Sequence, residues 1–249
     1  MRHIKYYIKQ TVFLVIALVL LTGTVAMRNP QTIAAPGDNT DWHALSNPGF
    51  STGEVYHISL AFSRDGTLYV SYRDVSNGEK ATVMRFNGSN WQAVGSAGFS
   101  AGAALQTSLA LDNNDTPYVA YQDANNGYKL TVMRFNGSNW QAVGSAGFSA
   151  GVADYPSLTF DKDGTPYVAY RDGGNSNKAT VMRFNGSNWQ AVGSAGFSAG
   201  VANHTSLALD SNGMPYVAYQ DGGNSNKATV MRFNGSNWQA VGSAGFSAG

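Results

Sequence analysis

Pro117-Tyr118-Val119-Ala120-Tyr121-Gln122-Asp123 is followed, after a short polar loop, by Leu130-Thr131-Val132-Met133-Arg134-Phe135-Asn136-Gly137 and then Asn139-Trp140-Gln141-Ala142-Val143. The first run is rich in β-formers on both faces, and its proline sits where a strand tolerates one, at the first residue. Asn136-Gly137 is the strongest short hairpin signal a sequence carries. Just upstream, Ser108-Leu109-Ala110-Leu111-Asp112 alternates small and large side chains and ends at Asn113-Asn114-Asp115. Sister copies have Asp161-Lys162-Asp163-Gly164 or Asp210-Ser211-Asn212-Gly213 at that turn, again turn-forming residues. Nothing here has helical period, and no segment between strands is long enough for a helix. The reading is a four-stranded antiparallel meander.

That meander repeats. The five tryptophans of the chain, Trp42, Trp91, Trp140, Trp189 and Trp238, stand 49 residues apart. Phe50, Phe99, Phe148, Phe197 and Phe246 keep the same step. A fixed period without insertions means stacked copies of one supersecondary unit. Central strands that are apolar on both faces must be sandwiched by neighbouring sheets. Four-stranded blades stacked radially meet that need, so the expected fold is an all-β β-propeller.

The pattern Leu-x-x-Asp-x-x-Gly-x-Pro-Tyr-Val-Ala-Tyr, then Lys-Ala-Thr-Val-Met-Arg-Phe-Asn-Gly and Trp-x-x-Val-Gly, resembles exported bacterial β-propeller repeat proteins over residues 42–249. The Trp-Asp dipeptide of WD repeats is missing, the paired glycines of kelch are not in place, and Asp163-Gly164 lacks the spacing of a sialidase aspartate-box. The resemblance therefore implies a fold and no activity. Asp41-Trp42-His43-Ala44-Leu45 matches a fourth strand with no first three before it, and four complete blades run to Val241. The expectation is a truncated or incomplete propeller of at least five blades. A closed four-blade ring with one surplus strand is the alternative. An open ring would expose two blade faces and favour self-association.

Residues 1–26 differ from the rest. Arg2, Lys5 and Lys9 precede an apolar run from Val12 to Leu21, then Thr22-Gly23-Thr24-Val25-Ala26. This is the pattern of a secretory signal cut after Ala26, with an uncleaved N-terminal anchor as the rival. Either way the repeats face outward, which predicts a secreted or cell-surface location. Residues 27–40 read as a linker and residues 41–249 as the repeats. The chain has no cysteine, so disulfides and thiolate metal sites are unavailable. Residues 1–26 hold three basic and no acidic groups, leaving 13 basic against 15 acidic. So small and mixed a charge does not favour nucleic acid or an anionic membrane.

The copies differ in three places. One is the start of strand one: Tyr56-His57-Ile58, Leu105-Gln106-Thr107, Asp154-Tyr155-Pro156 and Asn203-His204-Thr205. Another is the loop after strand two: Val75–Glu79, Ala124–Tyr128, Gly173–Asn177 and Gly222–Asn226. The third is the first hairpin turn, at residues such as Ser63-Arg64-Asp65. In an up-and-down blade the first two share a rim and the third lies opposite. Loops on a rigid scaffold carry function because they can vary without unfolding it. The variable rim is thus the candidate binding face, built from Tyr56, His57, Gln106, Tyr155 and His204. The ends of the second strands join it: Arg73, Gln122, Arg171 and Gln220, with Asp74, Asp123, Asp172 and Asp221. These aspartates have a second reading, as Asx-turn caps of the following loop.

Catalysis needs differentiated groups, and near-identical blades supply the same groups repeatedly. The expectation is a non-enzyme without cofactor or metal. Asp161-Lys162-Asp163-Gly164 supplies too few of the roughly six to eight oxygens that calcium takes. The tryptophans, beside the Asn-Gly turns, read as wedges between blades more than as sugar platforms. The functional expectation is multivalent carbohydrate binding by a secreted or surface module, with a protein-binding adhesion scaffold as the alternative. The partner is then a glycan or a surface protein.

Overall fold

The computed structural model describes residues 44–46 and 48–248. The signal and linker assignments, and most of the lone strand at 41–45, lie outside them. Among the described residues sixteen strands form four sheets, each in simple sequential order. Blade 1 comprises β1 (Val55–Phe62), β2 (Leu68–Asp74), β3 (Lys80–Phe86) and β4 (Trp91–Ala93). Blade 2 comprises β5 (Ala104–Leu111), β6 (Pro117–Asp123), β7 (Lys129–Phe135) and β8 (Trp140–Ala142). Blade 3 runs through β9 (Ala153–Phe160), β10 (Pro166–Asp172), β11 (Lys178–Phe184) and β12 (Trp189–Ala191). Blade 4 runs through β13 (Ala202–Leu209), β14 (Pro215–Asp221), β15 (Lys227–Phe233) and β16 (Trp238–Ala240). All pairings are antiparallel, and the expected β-propeller architecture holds.

The hairpin expected at Asn-Gly is present. The Asn136 N–H donates to the Asn139 carbonyl, which leaves Gly137 and Ser138 as the central pair. Gly137 has φ of 96°, a rotation that only glycine makes without strain, and the Asn136 side chain accepts the Ser138 and Asn139 amides. The first strand is longer than alternation suggests. It begins at Ala104, not Ser108, because a bulge at Gln106–Thr107 shifts the register between Leu105 and Ser108. A bulge adds one residue and breaks the period of two, so the strand's first half is not visible as alternation.

The core lies between blades. Tyr118, Leu130, Val132 and Val143 on the back of blade 2 meet Ala153, Leu158, Val168, Tyr170 and Trp189 on the front of blade 3. The same arrangement joins blade 1 to 2 and blade 3 to 4. Trp140, Trp189 and Trp238 are wedges: Trp189 stacks on Phe148 at 4.6 Å, and its Nε1–H donates to the Val143 carbonyl of the preceding blade. Trp140 and Trp238 repeat this with Val94 and Val192. First strands are also stitched by hydroxyls, with Ser59, Ser108 and Ser157 each accepting a leucine amide from the next blade.

The stack is open. Leu109, Leu158 and Leu207 are at most 8% exposed, yet their counterpart Leu60 on the front of blade 1 is 61% exposed. Ile58 and Phe62 beside it are exposed too, and Ile58 and Leu60 line an apolar hollow with Phe50, Val70, Tyr72 and Trp91. At the other end Val241 is 42% exposed, where Val94, Val143 and Val192 are buried.

Candidate functional site

The strand-one bulge and the loop after strand two meet at one end of every blade. Register places Tyr56 opposite Arg73, Leu105 opposite Gln122, Asp154 opposite Arg171 and Asn203 opposite Gln220. The first hairpin turn lies at the other end, with Ser63, Asp112, Asp161 and Asp210 each bonded back across it. Two of the three variable regions therefore share a rim, as read from the repeats.

The backbone at the bulge is unusual. His57, Gln106, Tyr155 and His204 have φ of 54°, 52°, 52° and 53°. Left-handed backbone costs an L-residue roughly 1–2 kcal/mol, and none of the four is glycine. Glu79, Tyr128, Asn177 and Asn226, which end the neighbouring loop, are also left-handed. With Ser176 and Ser225 in the same loops, the rim carries ten left-handed non-glycine residues.

Across blades 2 to 4 the rim side chains form one continuous network. The Asp154 carboxylate accepts from Gln122 Nε2 at 2.8 Å, Gln106 Nε2 at 3.3 Å and Arg171 Nε at 3.1 Å. Gln106 Oε1 accepts the Tyr155 amide. Arg171 reaches on to Asn203 Oδ1 at 2.6 Å, and Asn203 Nδ2 donates to Gln220 Oε1 at 3.2 Å. The Arg171 guanidinium lies 5.0 Å from the Tyr155 ring centre, and the Tyr155 and His204 rings are 4.4 Å apart.

Blade 1 is arranged differently. Arg73 pairs with Glu79 at 2.6 Å, lies over the Tyr56 ring at 5.5 Å, and its Nε is buried without a partner. The Tyr56 hydroxyl donates to Glu54 Oε1 at 2.5 Å, and this bond raises its pKa above the ordinary phenol value. Partial desolvation of an otherwise exposed ring, helped by the nearby Arg73 charge, lowers His57 below the usual imidazole range, which favours the neutral form at pH 7.

The four aspartates sit behind this surface. Asp74, Asp123, Asp172 and Asp221 are at most 2% exposed. Asp123 Oδ2 accepts from Asn126 Nδ2 and Thr131 Oγ1, both at 2.8 Å, while Oδ1 accepts the Asn125 amide at 3.0 Å. Asp172 and Asp221 repeat the set. Asp74 lacks the amide bond, and its Oδ1 is buried and unpaired. These carboxylates hold a 3-10 turn against the third strand. Asp154, Asn203, Glu79 and Tyr128 join the rim although sequence reasoning did not select them. All four fall within the variable segments, so register across the bulge was the missing signal.

No protein-family profile and no curated protein sequence matches the chain. Solved structures do share its fold. A protein of unknown function from Dyadobacter fermentans superposes with a TM-score of 0.53 at 14% identity, covering 76% of this chain and 70% of that one. An endo-1,4-beta-xylanase from Bacteroides thetaiotaomicron gives 0.50 at 12% identity, covering 79% and 78%. The alpha-L-arabinanase of Penicillium chrysogenum, complexed with arabinobiose, gives 0.50 at 12%, covering 78% and 68%. The expectation of a non-enzyme is corrected on this finding, because the fold is shared with glycoside hydrolases and does not exclude catalysis. The argument from identical blades also fails where the blades differ, as at Tyr56, Leu105, Asp154 and Asn203.

Proposed function

We propose that this chain is an exported binding module that holds carbohydrate at the variable rim. The observation that carries the reading is the left-handed backbone of His57, Gln106, Tyr155 and His204. Strain kept at four equivalent non-glycine positions, on one rim, supports a functional surface. The chemistry suits sugars. Planar amides, a guanidinium and carboxylates offer paired donors and acceptors, and the Tyr56, Tyr155, His57 and His204 rings lie among them. The arabinobiose complex of the Penicillium arabinanase agrees with a saccharide ligand on such a fold. Export is supported by the basic, apolar and small-residue pattern of residues 1–26.

A glycan and polysaccharide array tests the reading, with a second sample in which His57, Gln106, Tyr155 and His204 are all alanine. Binding by the native chain and loss in the variant is the expected result. Binding that survives all four substitutions refutes the rim assignment, and no binding by a folded sample refutes the carbohydrate reading.

A further inference from the structure

The four rim positions are equivalent in sequence register but not in chemistry. In blades 2 to 4 the side chains of Gln106, Gln122, Asp154, Arg171 and Asn203 are claimed by one another. The residue ending the second strand reaches into the next blade: Gln122 to Asp154, and Arg171 to Asn203. For Arg73 the corresponding position is Leu105, which offers no acceptor. Within its own blade Arg73 stands opposite Tyr56, where Arg171 stands opposite Asp154, so the Arg73 Nε is buried and unpartnered while the Nε of Arg171 is bonded to Asp154. An unmade bond of a buried donor is costly unless a ligand or water supplies the acceptor.

We infer that the saccharide site is single and lies on blade 1, where Arg73, Glu54 and Glu79 take the vicinal diol of a neutral sugar. This rests on the carbohydrate reading above. A sugar hydroxyl both donates and accepts. The guanidinium only donates, and the ionised Glu54 and Glu79 only accept. Each carboxylate has one oxygen engaged, by Tyr56 and by Arg73 respectively. Among the described residues no protein donor claims the other. Two adjacent hydroxyls can thus each accept from Arg73 and donate to a carboxylate. The Tyr56 and His57 rings, 6.4 Å apart, supply apolar faces beside them. Charge settles the ligand class. Two carboxylates against one guanidinium leave the cluster net negative, which opposes a uronate. The network of blades 2 to 4 then orders the rim and does not bind.

Calorimetry on the full chain tests this, using methyl glycosides of glucose, galactose, mannose, xylose and arabinose, with methyl glucuronide as the charged probe. The expected result is one neutral glycoside bound per chain, and glucuronide at least about tenfold weaker, or about 1.4 kcal/mol. Arg73→Gln loses binding by at least the same factor. Leu105→Asn, which gives Arg73 the cross-blade acceptor that Arg171 has, also weakens binding without lowering thermal stability. Asn212→Ala, in the opposite turn of blade 4, leaves it within about twofold. Several equivalents per chain, glucuronide bound as well as glucoside, or indifference to Arg73→Gln or Leu105→Asn overturns the single-site proposal and leaves the carbohydrate reading standing. Loss in Asn212→Ala does the same. A folded chain that binds none of these glycosides, and nothing on the array, overturns both.

Discussion

His57 is exposed, favours the neutral form at pH 7 and is held in left-handed backbone. If that conformation is strained, glycine there should stabilise the fold, whereas alanine, which keeps the Cβ, should not. His57→Gly is expected to gain about 0.5–1 kcal/mol in denaturant unfolding, and His57→Ala to gain nothing. A second residue-scale effect concerns the tyrosines two residues before the buried aspartates. Burial, and after it the Asp74 charge, raises Tyr72 to about 12, and Tyr121, Tyr170 and Tyr219 are raised in the same way by their own aspartates. The unfolded chain releases these protons near pH 10 and the folded chain later, so the folded state binds more protons in that window. Stability from this source is complete below pH 10 and falls as pH rises from 10 towards 12. Spectrophotometric titration should show four of the phenols ionising late, together with unfolding.

Between elements, the tryptophan wedge joins one blade to the next. Trp189 is 9% exposed, stacks on Phe148 and donates to the Val143 carbonyl. Trp189→Phe keeps most of the apolar area but loses the hydrogen bond and leaves a buried carbonyl short of a partner, so a cost of about 1–3 kcal/mol is expected in thermal or denaturant melts. The wedge was legible from sequence because a large aromatic beside a hairpin turn, repeated at a fixed step, has few other uses. The second strand was legible to the residue, since Pro117–Asp123 combines a permitted proline with β-formers on both faces. The bulge was not. Its left-handed residues are His, Gln and Tyr, types that carry no turn signal, and only the folded register shows the chain bending there. The Asp154 network escaped for the same reason, because Gln106, Gln122 and Asp154 lie 16 and 32 residues apart in sequence and meet only across blades.

The four described blades are stacked so that each packs against its neighbours, and their end faces differ from the interior ones. Ile58, Leu60 and Phe62 present an apolar strip at one end. Exposed apolar surface of this kind is an aggregation liability. Substituting Thr at 58, Gln at 60 and Ser at 62 should reduce light scattering of concentrated samples while leaving the melting temperature nearly unchanged. The stack also makes the rim a continuous surface that crosses three blade junctions, each fixed by hydroxyl and indole bonds. Carbohydrate binding at that rim is the central claim. The most direct measurement is amide hydrogen exchange of the chain with and without saturating oligosaccharide selected on the array. Slower exchange at the variable rim, centred on the bulge of β1 and the loop after β2, with the turns at Ser63, Asp112, Asp161 and Asp210 unchanged, is the predicted result. Protection at those opposite turns, or none at the variable rim, would contradict it.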